Sequence, residues 1–190
     1  MMQRALCVVI ALYVAACGAP SAHSADNERR CRADARGVDG IKLGDSAEKV
    51  LRQYSSTYDV KDLGAAGAAR EIRITAKGNP RAWILFTFES ANRVVMIDST
   101  FDCATREGLR VGKTLGDAVK AYGQPLLEPT DIGYYVFFDN PEGIGFLLRT
   151  SDIPEPLRDI PDDVLSDEQT DQIVSHSGAR LDAIRVVRTQ

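Results

Sequence analysis

Histidine is nearly missing from this chain: apart from His23, close to the amino terminus, the sequence contains only His176. A lone histidine in a polar stretch reads as a solvated side chain rather than a general base. No Gly-x-Ser-x-Gly elbow is present, so the usual serine hydrolase signal is missing. Neither a phosphate-cradling nor a dinucleotide glycine loop occurs. The histidines and cysteines do not fall at metal-ligand spacing, and no Cys-x-x-Cys suggests redox chemistry. Asp159, Asp162, Asp163 and Asp167 cluster, but without the spacing or the glycine of a calcium loop. A pair of glycosidase carboxylates would need a cleft with stacking aromatics; Trp83 and the Tyr134–Tyr135 pair read as strand packing. These absences point to a non-enzymatic protein without cofactor or metal. Clustered lysine and arginine are also lacking, and the formal charge is −4, a poor basis for nucleic-acid binding.

Long apolar runs are scarce too. The longest, residues 5–16, has 12 residues, whereas a membrane-spanning helix needs about 20. Arg4 precedes this run and small residues follow it, the order of a secretory signal peptide. Val14-Ala15-Ala16-Cys17 resembles a bacterial lipobox, which makes Cys17 the expected lipidation site. Cleavage after a small-x-small site such as Ala22-His23-Ser24 is the competing route. Gly18, in place of Asp, resembles the sorting signal for the outer membrane. The expected organisation is a signal peptide over 1–17, a polar leader over 18–35 and one domain over 36–190. The expected location is the periplasmic side of the cell envelope, held by a lipid anchor at the outer membrane, or soluble in the periplasm if Cys17 is not lipidated. Cys31 and Cys103 remain in the body, and an oxidising compartment lets them pair. In the chain-entropy description a bridge closing so long a loop stabilises by about 4 kcal/mol.

The most informative feature is a duplication. Gly40-Ile41-Lys42-Leu43-Gly44 is echoed 68 residues later by Gly108-Leu109-Arg110-Val111-Gly112. In the same register Ser46 and Thr114 read as helix N-caps. Ala47, Val50, Leu51 and Tyr54 then mark one amphipathic helix, and Leu115, Ala118, Val119 and Tyr122 another. Strand-like segments follow each: 71–75, 83–88 and 94–101 in the first half, then 134–138, 146–148 and 181–187 in the second. This predicts an α+β fold of two tandem α-β-β-β repeats, 36–103 and 104–190, with an antiparallel sheet and helices packed on one face.

The second half carries an addition, residues 151–178, with eight acidic residues against Arg158 alone. It reads as an exposed flap with a short helix capped by Ser166 and Gln169. Together with the 139–143 turn it is the expected partner surface, with Asp139, Asn140, Glu142, Asp159, Asp162, Asp163, Asp167 and Glu168 as candidate contacts for a basic protein.

The doubled G-[IL]-x-[LV]-G motif with its capped helix resembles the tandem repeat of β-lactamase inhibitory proteins. It is similar also to the single unit of SmpA/OmlA-type lipoproteins of the outer-membrane assembly machinery. The resemblance covers 40–54 and 108–125 best. It implies binding of proteins rather than catalysis. In the inhibitors a hairpin loop of the first half enters the target's active site; loops 77–80 and 139–143 correspond to it roughly, and no inhibitory side chain carries over. The function expected is that of an envelope lipoprotein binding an envelope or secreted protein. An inhibitor or immunity protein against a secreted or delivered hydrolase, and a hydrolase of unrecognised type, remain the alternatives.

Overall fold

The computed structural model describes residues 31–188, except 67–68, 90–91, 131, 140–142 and 159–164. Cys17 and the leader up to residue 30 lie outside the described residues. The chain opens with three short strands, β1 (Ala33–Asp34), β2 (Gly37–Val38) and β3 (Ile41–Lys42), which form a small antiparallel sheet. Helix α1 (Ala47–Tyr54) leads into β4 (Asp59–Ala66), β5 (Ala69–Ala76), β6 (Asn79–Phe88) and β7 (Val94–Ser99). Helix α2 (Leu115–Tyr122) leads into β8 (Pro125–Thr130), β9 (Gly133–Phe138) and β10 (Ile144–Leu148). Two 3-10 turns and α3 (Asp167–Ser175) precede β11 (Leu181–Val187). Strands β4 to β11 form one sheet in the order β4-β5-β6-β7-β11-β10-β9-β8, and every pairing in it is antiparallel.

This corrects the expected fold class. The protein is mostly β, an eight-stranded antiparallel sheet plus a three-stranded one, and not a helix-layered α+β stack of α-β-β-β units. Only three α-helices, of eight, eight and nine residues, occur among the described residues. The missing strands are the small sheet and the two edges, β4 and β8. Edge strands pair on one side only and need not alternate cleanly. Pro125 and Pro129 sit in β8, where a residue without an N–H is tolerated because one edge is free.

The 68-residue echo is nevertheless a three-dimensional one. Gly44 N–H donates to Val94 O and Val94 N–H to Asp45 O; Gly112 N–H donates to Leu181 O and Leu181 N–H to Lys113 O. Gly44 and Gly112 both have φ of 87°, a conformation glycine adopts without a Cβ penalty. Ser46 Oγ accepts from Lys49 N–H, and Thr114 Oγ1 from Asp117 N–H, completing a capping box in the second helix. Both α1 and α2 end in a tyrosine whose hydroxyl donates to an acid: Tyr54 to Asp39 Oδ2 at 3.1 Å, and Tyr122 to Glu107 Oε2 at 2.6 Å.

The core lies between the helices and one face of the large sheet. Tyr54 packs on Phe86, and Tyr122 on Phe138 and Phe146. Ala47, Val50, Leu115 and Ala118 are fully buried, while Leu51 and Val119 are half-buried against the cluster. Cys31 and Cys103 are joined by a disulfide with Cα atoms 4.4 Å apart. It fastens the lead-in to the small sheet onto the segment before α2, where Ala33 N–H also donates to Ala104 O and Ala104 N–H to Cys31 O.

The described parts of the acidic segment, 151–158 and 165–178, do not form an exposed flap, contrary to expectation. Ile153, Leu157, Leu165 and Ile173 are buried in the same core. The Tyr134 hydroxyl donates to Leu157 O, Gly116 N–H to Ser177 O, and Leu115 N–H to Ala179 O. Asp152 Oδ2 accepts from Arg180 N–H. The acidic residues obscured this, because they dominate the composition while four apolar side chains, widely spaced, do the packing.

Candidate functional site: the open face of the sheet

Strand alternation sends successive side chains to opposite faces. In β5, β6, β9 and β10 one set is fully buried: Ile72 and Ile74, Ile84 and Phe86, Val136 and Phe138, Ile144 and Phe146. The opposite set faces away from the helices, and no described element covers it. Pairing register aligns one row of this face across all eight strands: Lys61, Arg73, Leu85, Asp98, Arg185, Gly145, Phe137 and Leu126. The flanking row contains Trp83, Ala183, Leu147, Tyr135 and Glu128. Trp83, Leu85, Met96, Phe137 and Leu147 are half-buried and Leu126 is 62% exposed.

The centre of the face is rigid. Asp98, only 5% exposed, accepts two bonds from Arg185, Nε to Oδ1 at 2.7 Å and Nη2 to Oδ2 at 2.9 Å. The Arg185 guanidinium lies 3.7 Å from the centroid of the Tyr135 ring, and the Tyr135 hydroxyl donates to Asp98 Oδ1 at 3.3 Å. Burial disfavours the Arg185 charge, but the Asp98 bonds outweigh it and hold the pKa above its ordinary value. Phe137 stacks beside Tyr135, with centroids 6.2 Å apart. Gly145 makes this possible: a Cβ there would fall 2.5 Å from Phe137 Cε1. On the first-half side Arg73 lies over Trp83 at 4.9 Å, a cation–π contact of the same kind.

Two hollows lie on this face toward opposite ends of the strands. One, of about 430 Å³, is bounded by Met96, Leu126, Glu128, Phe137, Asp139 and Arg185. The other, of about 670 Å³, is bounded by Arg81, Trp83, Val111, Leu147 and the Arg149–Asp182 ion pair. Among the described residues no group of three or more His, Cys, Asp or Glu could hold a metal ion. No described helix is long and apolar enough to cross a membrane.

Of the candidate contacts read from sequence, Asp139 is exposed and lines the first hollow. Asp167 and Glu168 are exposed in the first turn of α3, whose Ile173 belongs to the core beneath the other face; the structure does not bring them to Asp139. Asn140, Glu142, Asp159, Asp162 and Asp163 lie outside the described residues. Of the residues that organise the open face, Tyr135 was read from sequence only as strand packing, and Asp98, Phe137, Gly145 and Arg185 were not singled out. The available signal was polar residues at alternate positions of otherwise apolar strands, Asp98 in VVMIDS and Arg185 in LDAIRVV.

Protein-family models, curated proteins and solved structures give no match to this chain.

Proposed function

We propose that the protein is a non-enzymatic, exported envelope lipoprotein that binds another protein through the open face of its large sheet. The observation that carries this reading is a half-exposed apolar and aromatic surface built around a pre-ordered centre. Trp83, Leu85, Met96, Leu126, Phe137 and Leu147 together form more apolar surface than a lone exposed side chain would. Asp98, Arg185 and Tyr135 hold one another in place, so a partner meets side chains whose ordering entropy is already spent in folding. Aromatic and arginine anchors in a desolvated centre are also the composition of protein–protein hot spots. Export rests on Arg4 and the apolar run at 5–16, and anchoring on Cys17. A palmitate analogue fed to expressing cells should label the protein, and Cys17→Ala should abolish the label.

The binding reading is tested by photo-crosslinking in intact cells. A benzophenone side chain at Trp83 or Phe137 should trap a discrete adduct, and one at Asp171 on α3 should not. Adducts from Asp171 alone, or from none of the three sites, would sink the open-face assignment.

A further inference from the structure

We propose that the hollow bounded by Met96, Leu126, Glu128, Phe137 and Asp139 accepts a cationic side chain, lysine or arginine, of the protein partner. This rests on the open-face reading above and gives that partner a chemistry. The hollow is first an apolar one. Phe137 and Met96 are half-buried walls, and Leu126 is the most exposed large apolar side chain among the described residues, at 62%. The ring of Phe137 lies over Gly145, which leaves it room. About 430 Å³ is room for one long side chain, and lysine and arginine bury their aliphatic stems on such surfaces while keeping the head group at a polar rim.

Charge decides which head group fits. Three charged residues border the hollow: Glu128, Asp139 and Arg185. The Arg185 charge is already met by the bidentate bond to Asp98, and its guanidinium face is covered by Tyr135. Glu128 lends Arg185 further electrostatic support, yet neither Glu128 nor Asp139 has a side-chain hydrogen bond or ion pair among the described residues, and both are exposed. The hollow therefore presents two carboxylates and an aromatic ring to an incoming group. A cation gains from both. A carboxylate or phosphate would face two like charges and find the Arg185 donors Nε and Nη2 occupied. An uncharged apolar side chain would fill the space but gain nothing from the Glu128 and Asp139 carboxylates.

The test uses the disulfide-bonded mature chain and single-residue probes: N-acetyl-arginine methylamide, its lysine counterpart, and the neutral citrulline isostere. Binding is followed by NMR shifts of the Leu126 and Met96 methyls and the Phe137 ring. The expected result is saturable shifts with arginine or lysine, at least fivefold tighter than with citrulline. The combined variant Glu128→Gln, Asp139→Asn should weaken them at least fivefold; both residues are exposed, so it keeps the fold, as an unchanged thermal midpoint would verify. Equal binding of citrulline, shifts elsewhere, no saturable shift, or undiminished binding to the double variant would overturn the proposal. Crosslinks from Phe137 in cells that persist despite such a result would leave the open-face reading standing and remove only the cationic anchor.

Discussion

Arg185 shows how much of the open face depends on one side chain. It neutralises Asp98, covers Tyr135 and borders the hollow beside Phe137. Replacing it by methionine keeps much of the volume but strands the Asp98 carboxylate, which is 5% exposed. Breaking a buried pair from one side costs several kcal/mol; the 21% exposure of the Arg185 side chain lowers the expectation for Arg185→Met to about 3 kcal/mol. Adding Asp98→Asn should recover part of that loss, and urea titrations of the four proteins in the cycle measure the coupling.

Tyr122 is a second residue with a measurable signature. Its hydroxyl bonds Glu107, and this bond, the largest contribution, holds the Glu107 pKa below its ordinary value. A carboxyl whose folded pKa is depressed adds stability above its unfolded pKa, near 4.3, and loses it as pH falls through that value toward the folded one. Asp45 and Asp152 are depressed as well. Burial of Asp45 opposes the shift and its bond with Lys49 prevails; for Asp152 the Arg180 backbone N–H leads. Stability is therefore expected to be level near neutrality and to decline below about pH 4.5. Tyr122→Phe should flatten the Glu107 part of that decline, as read from urea midpoints between pH 3 and 7.

Among the elements, the 151–178 segment carries the sharpest structural prediction. Its 3-10 turns, α3 and the residue ahead of the α3 cap place Ile153, Leu157, Ile173 and Leu165 in the common core. Leu157→Ala should cost about 2–5 kcal/mol, the range for a truncated core leucine. Replacing the whole segment by a short Gly/Asn turn should abolish the cooperative thermal transition, because it also uncovers Tyr134 and the N-terminus of α2. A shortened protein that melts near the parent temperature would show these contacts to be dispensable.

At the scale of the molecule, the disulfide is the contact that most changes the freedom of the unfolded chain. It links Cys31 to Cys103, 72 positions apart, and ties the small sheet to the entry of α2. Loop-closure entropy gives about 4 kcal/mol for a ring of this size. Cys31→Ser with Cys103→Ala should lower stability by roughly that amount, and a reducing agent should do the same to the parent but nothing to the variant.

The sequence by itself determined the local structure: both capped helices with their inward Val50, Tyr54, Leu115 and Ala118, six strand-like segments, the Ser166–Gln169 cap and the 68-residue echo. All of these are written in neighbours a few positions apart, through 3.6- and 2-residue periods and side-chain caps. The recurring tyrosine–acid bond, Tyr54 to Asp39 and Tyr122 to Glu107, was not read from the sequence and emerged only from pairing across fifteen positions. The disulfide followed from a count of cysteines. Tertiary structure alone decided the rest. Edge strands β4 and β8 exist because a neighbour pairs with them, not because their residues alternate. The acidic segment folds inward because four scattered apolar side chains find a common core. The open face exists because antiparallel register aligns Leu85, Asp98, Arg185, Gly145, Phe137 and Leu126 from six strands in one row, and burial on such a sheet is set by what packs against each face rather than by any residue's own preference.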